Sequence, residues 1–151
     1  RAVLPLPPRA PHGPDRLLPS TNFVLWSYTD FSDPRWGFNS RWITLDGDPN
    51  RFDAQKVGVP VHEGWLAYWR NGTTFVKRFD HENGATYTDG GSSGELFTNG
   101  IFLELETLSP LVKLAPGESV EHVETWELTR ELPLPEAASV GTYFGWIEQR
   151  R

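Results

Sequence analysis

The chain has 151 residues, with 14 Lys or Arg against 20 Asp or Glu and a formal net charge of -6. This length suffices for one domain with a hydrophobic core, and the absence of excess basic charge argues against nucleic acid as a partner. The chain has no cysteine, which excludes disulfides and thiolate metal sites and leaves the cellular compartment undetermined. No apolar run is long enough to span a membrane, so we expect no membrane partner.

The first 20 residues are rich in proline. Because proline has no backbone N–H and a fixed φ, this composition predicts neither a helix nor a central β-strand. We interpret residues 1–20 as an extended segment that crosses the surface of the domain. Its prolines are Pro5, Pro7, Pro8, Pro11, Pro14 and Pro19.

Residues 21–130 have the pattern of an all-β domain. Asn71-Gly72 is flanked by aromatic and β-branched residues in 64–70 and 73–80, which is the strongest short-range signal for a β-hairpin. Turn residues recur at short intervals along this region, and no segment shows a convincing helical period. The pattern predicts an antiparallel sandwich or barrel, of which we expect the β-sandwich. Two further predicted strands precede the hairpin, at residues 21–29 and 41–45.

A predicted strand at residues 101–106 carries two glutamates on one face. Side chains alternate across a strand, so one face presents apolar residues to a core and the other presents Glu104 and Glu106. Phe102 shares the face of the glutamates. A carboxylate pair beside an aromatic ring suits general acid–base chemistry or the binding of a polyol. The competing interpretation is that both glutamates are solvated on the exposed face of an antiparallel sheet.

The sequence after this strand predicts a turn, one more strand and an extension. The chain turns at Ala115-Pro116-Gly117-Glu118 and returns as a strand over residues 120–128. The alternating Leu and Pro of residues 132–135 then break the sheet. We interpret residues 131–151 as a C-terminal extension, in which residues 139–148 are a candidate for one last strand.

A second candidate binding group lies along the predicted hairpin. His62, Trp65, Tyr68 and Lys77 combine aromatic faces, which stack on sugar rings, with groups that donate hydrogen bonds to hydroxyls. A place in the core is the simpler interpretation for any single tryptophan. We nevertheless expect part of this group to be exposed, because the two faces of a small open sheet cannot both be buried.

We predict no metal site and no other cofactor. His62-Glu63 lacks the second histidine of a zinc-binding helix. Residues 46–50 begin like a calcium loop, but Arg51 and Val57 stand where such a loop needs Gly and Glu.

The motifs between residues 100 and 128 carry a resemblance to a known superfamily. Leu105-Glu106-Thr107 is followed by Pro110, by Pro116-Gly117-Glu118 and by the returning strand. This order resembles the C-terminal end of galactose mutarotase-like (aldose 1-epimerase-like) domains, and this likeness covers about 30 residues. The segments LPLPPRAPHGPDRLLPS, LWSYTDFSDPRW and GWLAYWRNGTTFVKRF are similar to a bacterial branch of that superfamily, over most of residues 4–130.

The resemblance implies a fold, a ligand and a role for Glu106. The chain would be the C-terminal half of a two-sheet supersandwich roughly twice this long. Glu106 would be the catalytic base that takes the proton from the C1 hydroxyl of a sugar, and Glu104 with the hairpin group would contact the sugar. The acid of the family is a histidine, and no histidine lies in a matching motif. The four are His12, His62, His81 and His122.

Several expectations about function follow. We expect a sugar or another polyol as ligand, no epimerase activity from this chain alone, and either a missing N-terminal half or self-association. Two alternatives stay open: a non-catalytic β-sandwich that serves as a binding or structural module, and an accessory domain of a glycoside-processing enzyme. The unmatched histidine favours the first alternative over an active epimerase. Acids among aromatics favour a polar small molecule over a protein interface, whose core is depleted of acids.

Overall fold

The computed structural model describes residues 1–150 and places their strands in two antiparallel β-sheets. The prediction of an all-β, sandwich-like fold is confirmed. The strands are β1 (Ala2–Pro5), β2 (Val24–Leu25), β3 (Trp36–Phe38), β4 (Trp42–Leu45), β5 (Gln55–Val59), β6 (Trp65–Arg70), β7 (Thr73–Phe79), β8 (Gly94–Thr98), β9 (Leu103–Thr107) and β10 (Glu124–Thr129). One α-helix, α1, spans Val140–Glu148, and short 3-10 helices span Asp89–Gly91 and Ala137–Ser139.

The two sheets differ in width. The larger has six strands in the order β10-β7-β6-β1-β4-β3, and the smaller has four in the order β2-β5-β8-β9. Alternate side chains of both sheets point inward and form the main core between them. That core contains Leu4, Ile43, Val57, Leu66 and Leu96, all without solvent exposure.

Helix α1 covers the outer face of the six-stranded sheet and buries a second core. Trp65 and Ala67 of β6 pack there with Tyr143 and Trp146 of the helix. Strand β6 is therefore buried on both faces, because Leu66 lies in the main core. The helix thus supplies a second cover for β6 at Trp65 and Ala67 that was not expected, whereas His62 of the same candidate group is exposed.

The same helix replaces the strand that was a candidate for residues 139–148, and that expectation is wrong. Val140, Phe144 and Ile147 recur at helical rather than strand spacing and face the sheet. A reciprocal capping box between Glu136 and Ser139 precedes the helix. This start signal directly follows the Leu and Pro residues of 132–135, which by themselves predict only a break in the sheet.

Strand β1 corrects the expectation that residues 1–20 contain no central strand. It lies between β4 and β6, although it ends in Pro5. Of the residues of β1, Ala2 and Val3 pair with β6, whereas Leu4 and Pro5 do not. The missing N–H of Pro5 therefore interrupts no bond to β6. Pairing with β4 alone continues to Pro5. Proline is thus tolerated at this position because β1 is there paired on one side only, with β4.

The β6–β7 hairpin forms where Asn71-Gly72 predicts it. Arg70 pairs with Thr73 across the two-residue loop. Asn71 has φ 51° and Gly72 has φ 76°, so both adopt the left-handed conformation that a type I′ turn requires.

Strands β9 and β10 lie in different sheets. The predicted turn forms, with the Glu118 N–H donating to the Ala115 carbonyl at 3.0 Å and Gly117 at φ 91°. The chain then crosses to the six-stranded sheet, where β10 pairs with β7 instead of β9. This crossing closes one side of the sandwich beside the strand that carries Glu104 and Glu106.

Candidate functional site

The outer face of the four-stranded sheet carries a cluster of one lysine and three glutamates. On β5, β8 and β9 the core-facing residues alternate with Lys56, Glu95, Glu104 and Glu106, which therefore share the opposite face. Pairing of β8 with β9 sets Glu95 directly across from Glu106. We call these four residues the Lys56 cluster.

Lys56 holds two of the carboxylates. Its Nζ lies 2.7 Å from Glu95 Oε2 and 2.9 Å from Glu106 Oε2. The Glu95 side chain is 1 % exposed and that of Glu106 is 32 % exposed. The cluster therefore runs from a buried carboxylate through the ammonium to a carboxylate that solvent reaches.

Burial and charge set the protonation of this cluster. Burial raises the pKa of Glu95 and outweighs the opposing bond from Lys56. Burial also lowers the pKa of Lys56, but its bonds to Glu95 and Glu106 outweigh this effect and the net shift is upward. The pKa of Glu104 is raised by burial first and then by the negative charge of Glu106. Two carboxyl groups of the cluster are thus easier to protonate than ordinary glutamates.

Some of the carboxylate oxygens in the cluster have no hydrogen-bond donor. In the described part of the chain, Oε1 of Glu95 and Oε1 of Glu106 are buried and accept no hydrogen bond. Glu95 Oε2 is held by the ion pair with Lys56. An unpaired buried acceptor costs about 1–3 kcal/mol, and at 1 % exposure Glu95 is closed to a ligand, whereas the 32 % exposed side chain of Glu106 can be approached by one.

Aromatic side chains border the cluster. Lys56 Nζ lies 4.7 Å from the ring centroid of Trp26, a cation–π contact. Tyr28 is 41 % exposed, and its pKa is raised by burial first and by the three glutamates. Phe97 pairs in register with Glu104 and is half-buried beside Phe102. The face therefore presents ring surfaces next to the accessible carboxylates of Glu104 and Glu106.

Sequence reasoning placed Glu104 and Glu106 on this face but missed the rest of the cluster. Lys56 lies on a strand that it did not predict, and Glu95 follows a Gly/Ser-rich stretch. Alternation within residues 55–59 and 94–98 signals two strands with these side chains facing outward. The pairing that brings them together is non-local, and the sequence pattern carries no signal for it.

The hairpin residues do not join the cluster. Trp65 is 1 % exposed and its ring lies 5.3 Å from that of Phe144 in α1, so a ligand cannot reach it in this fold. Tyr68 packs half-buried against the main core. Lys77 donates to the Leu105 carbonyl at 2.9 Å and pairs with Glu124 at 3.2 Å, which ties the two sheets together.

His62 belongs to a separate polar group. Its ring lies 4.4 Å from that of His81, which stacks on Tyr87. His81 Nδ1 lies 2.8 Å from Ser93 Oγ, and this oxygen accepts the Val61 N–H at 2.8 Å. Because Ser93 has no solvent exposure, its hydroxyl serves to anchor a loop and is inaccessible as a nucleophile. Burial, and then the neighbouring His62, lower the pKa of His81.

Within residues 1–150, no group of three or more His, Asp or Glu side chains is arranged to hold a metal ion. None of the helices in that range is both long and apolar enough to cross a membrane. The chain matches no protein-family model, no curated protein and no solved structure.

Proposed function

We propose that this chain is a carbohydrate-binding domain that takes a sugar or another polyol at the Lys56 cluster. One observation carries the proposal: the exposed carboxylate of Glu104 and the 32 % exposed carboxylate of Glu106 lie beside a lysine, on a face bordered by accessible aromatic rings. Sugar hydroxyls are donors that can satisfy such acceptors. The resemblance of residues 105–118 to mutarotase-like domains points to the same ligand class.

The aromatic border supports a ring-shaped ligand. The apolar face of a pyranose stacks on tryptophan or tyrosine, and its hydroxyls reach sideways to charged groups. Trp26 and Tyr28 lie at the edge of the cluster, next to Lys56 and the glutamates. This places a stacking surface and hydrogen-bonding groups at the same site.

The charge of the site argues for a neutral or amino sugar. Three carboxylates face one ammonium, so the cluster has a net negative charge when all four groups are ionised. Such a site repels sugar phosphates and uronates, because like charges at short range cost several kcal/mol in a specific interface. Neutral hexoses and hexosamines avoid this repulsion.

Binding is better supported than catalysis. Glu106 is the residue that the resemblance identifies as the base of C1 epimerisation, and it lies accessible in the cluster. Among residues 1–150 no histidine belongs to the Lys56 cluster: His62 and His81 form their own group, and His122 contacts Thr107 at the side of the sandwich. We propose epimerisation only for an assembly in which another segment supplies the acid.

The experiment is an NMR titration of the labelled chain with galactose, glucose, glucosamine and glucuronate. We expect the indole N–H resonance of Trp26 to shift with millimolar affinity, which needs only about 4 kcal/mol. The indole resonance of buried Trp65 stays in place and reports that the fold is unchanged. Glucuronate should cause a smaller shift than glucosamine.

Matched variants locate the site. Trp26→Ala and Glu106→Gln should weaken the response, whereas Trp126→Ala and Glu127→Gln, both on β10, should leave it unchanged. If no resonance of the Lys56 cluster moves at high sugar concentration, or if Trp26→Ala titrates like the parent chain, the proposal is wrong.

A further inference from the structure

Strand β10 is an unprotected edge with an exposed apolar face. It is the outermost strand of the six-stranded sheet, and within residues 1–150 it pairs only with β7. The four-stranded sheet is narrower and leaves the inward face of this edge uncovered, so that Trp126 is 66 % and Leu128 is 72 % exposed. Phe75 of β7 lies beside them, its ring 5.6 Å from that of Trp126. Such an edge is a template for pairing with another strand.

The backbone groups available at this edge follow from the hairpin. Arg70 and Thr73 close a two-residue loop and so form a hydrogen-bonded pair. Because hydrogen-bonded and non-hydrogen-bonded pairs alternate along an antiparallel ladder, the backbone N–H and C=O groups of Thr125, Glu127 and Thr129 point toward β7. The N–H and C=O groups of the residues between them face outward. These are Glu124, Trp126, Leu128 and Arg130.

The sequence of this edge is complementary to its own reverse. Residues 124–130 read Glu-Thr-Trp-Glu-Leu-Thr-Arg. When a second copy runs antiparallel with Glu127 opposite Glu127, Trp126 lies across from Leu128 and Glu124 lies across from Arg130. In this register apolar side chains meet apolar ones on the uncovered face, and an anion meets a cation at each end.

We propose that two copies of this chain associate through β10 in this register, forming one continuous twelve-stranded sheet. The pairing covers Trp126 and Leu128 of both copies and gives Arg130 a partner, since Arg130 has no ion pair within residues 1–150. Each central Glu127 is already neutralised by its own chain, at 3.5 Å from Arg78 and 3.6 Å from Arg150. The two central carboxylates therefore meet as parts of ion pairs.

The other edges of the sheets are poorer templates. Strand β3 has three residues and contains Gly37, and β2 has two residues. Strand β9 carries Glu104 and Glu106, whose charges oppose pairing with a second copy of itself. Strand β10 has six residues and no proline, and its central Glu127 is neutralised by Arg78 and Arg150.

Cysteine cross-linking tests the register, because the chain has no cysteine of its own. In the proposed pair, the Cα atoms of residue 127 in the two copies form a non-hydrogen-bonded pair about 4.5 Å apart, within the range for a disulfide. Glu127→Cys should therefore form a covalent dimer under mild oxidation. Thr125→Cys should not cross-link with itself, since four residues of offset separate the two positions by roughly 14 Å. A mixture of Thr125→Cys with Thr129→Cys should cross-link.

Sedimentation of the cysteine-free chain gives the second measurement. We expect a concentration-dependent dimer that Leu128→Lys and Arg130→Glu convert to monomer, while Ile101→Lys, at an equally exposed apolar position on another surface, leaves it intact. A monomer at all concentrations contradicts the proposal. So does a dimer that survives Leu128→Lys, or equal cross-linking of Thr125→Cys alone and in the mixture. A different protein bound at β10 in place of the second copy would also overturn it.

Discussion

Lys56 and Glu95 lie diagonally across the β5–β8 ladder and form an ion pair of 2.7 Å on the face of the smaller sheet that points away from the core. Gly58 pairs in register with Glu95, and the Ser92 side chain occupies the space above this glycine. The glutamate is thereby enclosed from the side that would otherwise be open to water. Its carboxylate depends on Lys56 for charge compensation.

Lys56→Met should lower the free energy of unfolding by about 3–5 kcal/mol, because it leaves Glu95 buried without its cation. The double variant Lys56→Met/Glu95→Leu should recover most of this loss, since both charges are then removed. Urea unfolding measures both values. Lys113→Met, in an exposed loop, is the control and should change the free energy by less than about 0.5 kcal/mol. Equal losses in the single and the double variant would contradict the role given to the pair.

The stability of the chain should depend on pH through Glu95. The pKa of this carboxyl is raised in the fold, so the folded state holds more protons than the unfolded state above the ordinary glutamate pKa of about 4.3. The stability due to this group therefore falls as pH rises from there through the raised value. Glu95→Gln should become more stable relative to the parent chain over that window. Urea denaturation from pH 4 to 7 tests this, with Glu121→Gln as the control variant. If the difference in unfolding free energy between Glu95→Gln and the parent chain does not change with pH, the prediction is wrong.

The chain alone should not accelerate mutarotation. Epimerisation at C1 needs a base for the hydroxyl and an acid for the ring oxygen, each worth typically 10²–10⁴-fold. Glu106 can serve as the base, but the cluster contains no histidine as its acid. Polarimetry of α-galactose and α-glucose should give the rate of buffer. Acceleration that Glu106→Gln abolishes would make the chain an enzyme with the assigned base, and acceleration that survives Glu106→Gln would remove the assignment.

Trp65→Ala should destabilise the chain by about 3–5 kcal/mol, because it opens a cavity between β6 and helix α1. The same truncation at Phe52, which is 67 % exposed, should have a small effect. Near-ultraviolet circular dichroism should report the loosened packing of Tyr143 and Trp146 of helix α1 against the sheet. A small loss at Trp65 would mean that the helix contributes little to the fold.

Local signals in the sequence account for the elements that could be predicted. Asn71-Gly72 determines its hairpin, since both residues tolerate positive φ and the loop fixes the register. Alternation from Leu103 to Glu106 determines which face of β9 meets the core. In both cases a few adjacent residues contain the whole physical reason for the structure.

The parts that could not be predicted depend on distant residues. The partners of Glu106 come from β5 and β8, and only the strand order brings Lys56 next to it. Trp65 is of a residue type that stacks on sugars, but helix α1, which comes much later in the chain, packs directly on it. Pro5 argues against a central strand until the short overlap with β6 makes it harmless.

The second core also sets the order in which the chain can fold. Strand β1 and helix α1 pack into the same cluster, and the Arg1 side chain donates to the Pro135 carbonyl across 134 positions of sequence. A nascent chain on the ribosome must therefore hold β6 and β4 half-covered until α1 has emerged. Contacts of such long range slow folding, and Trp42 and Trp65 remain open to chaperones in that interval.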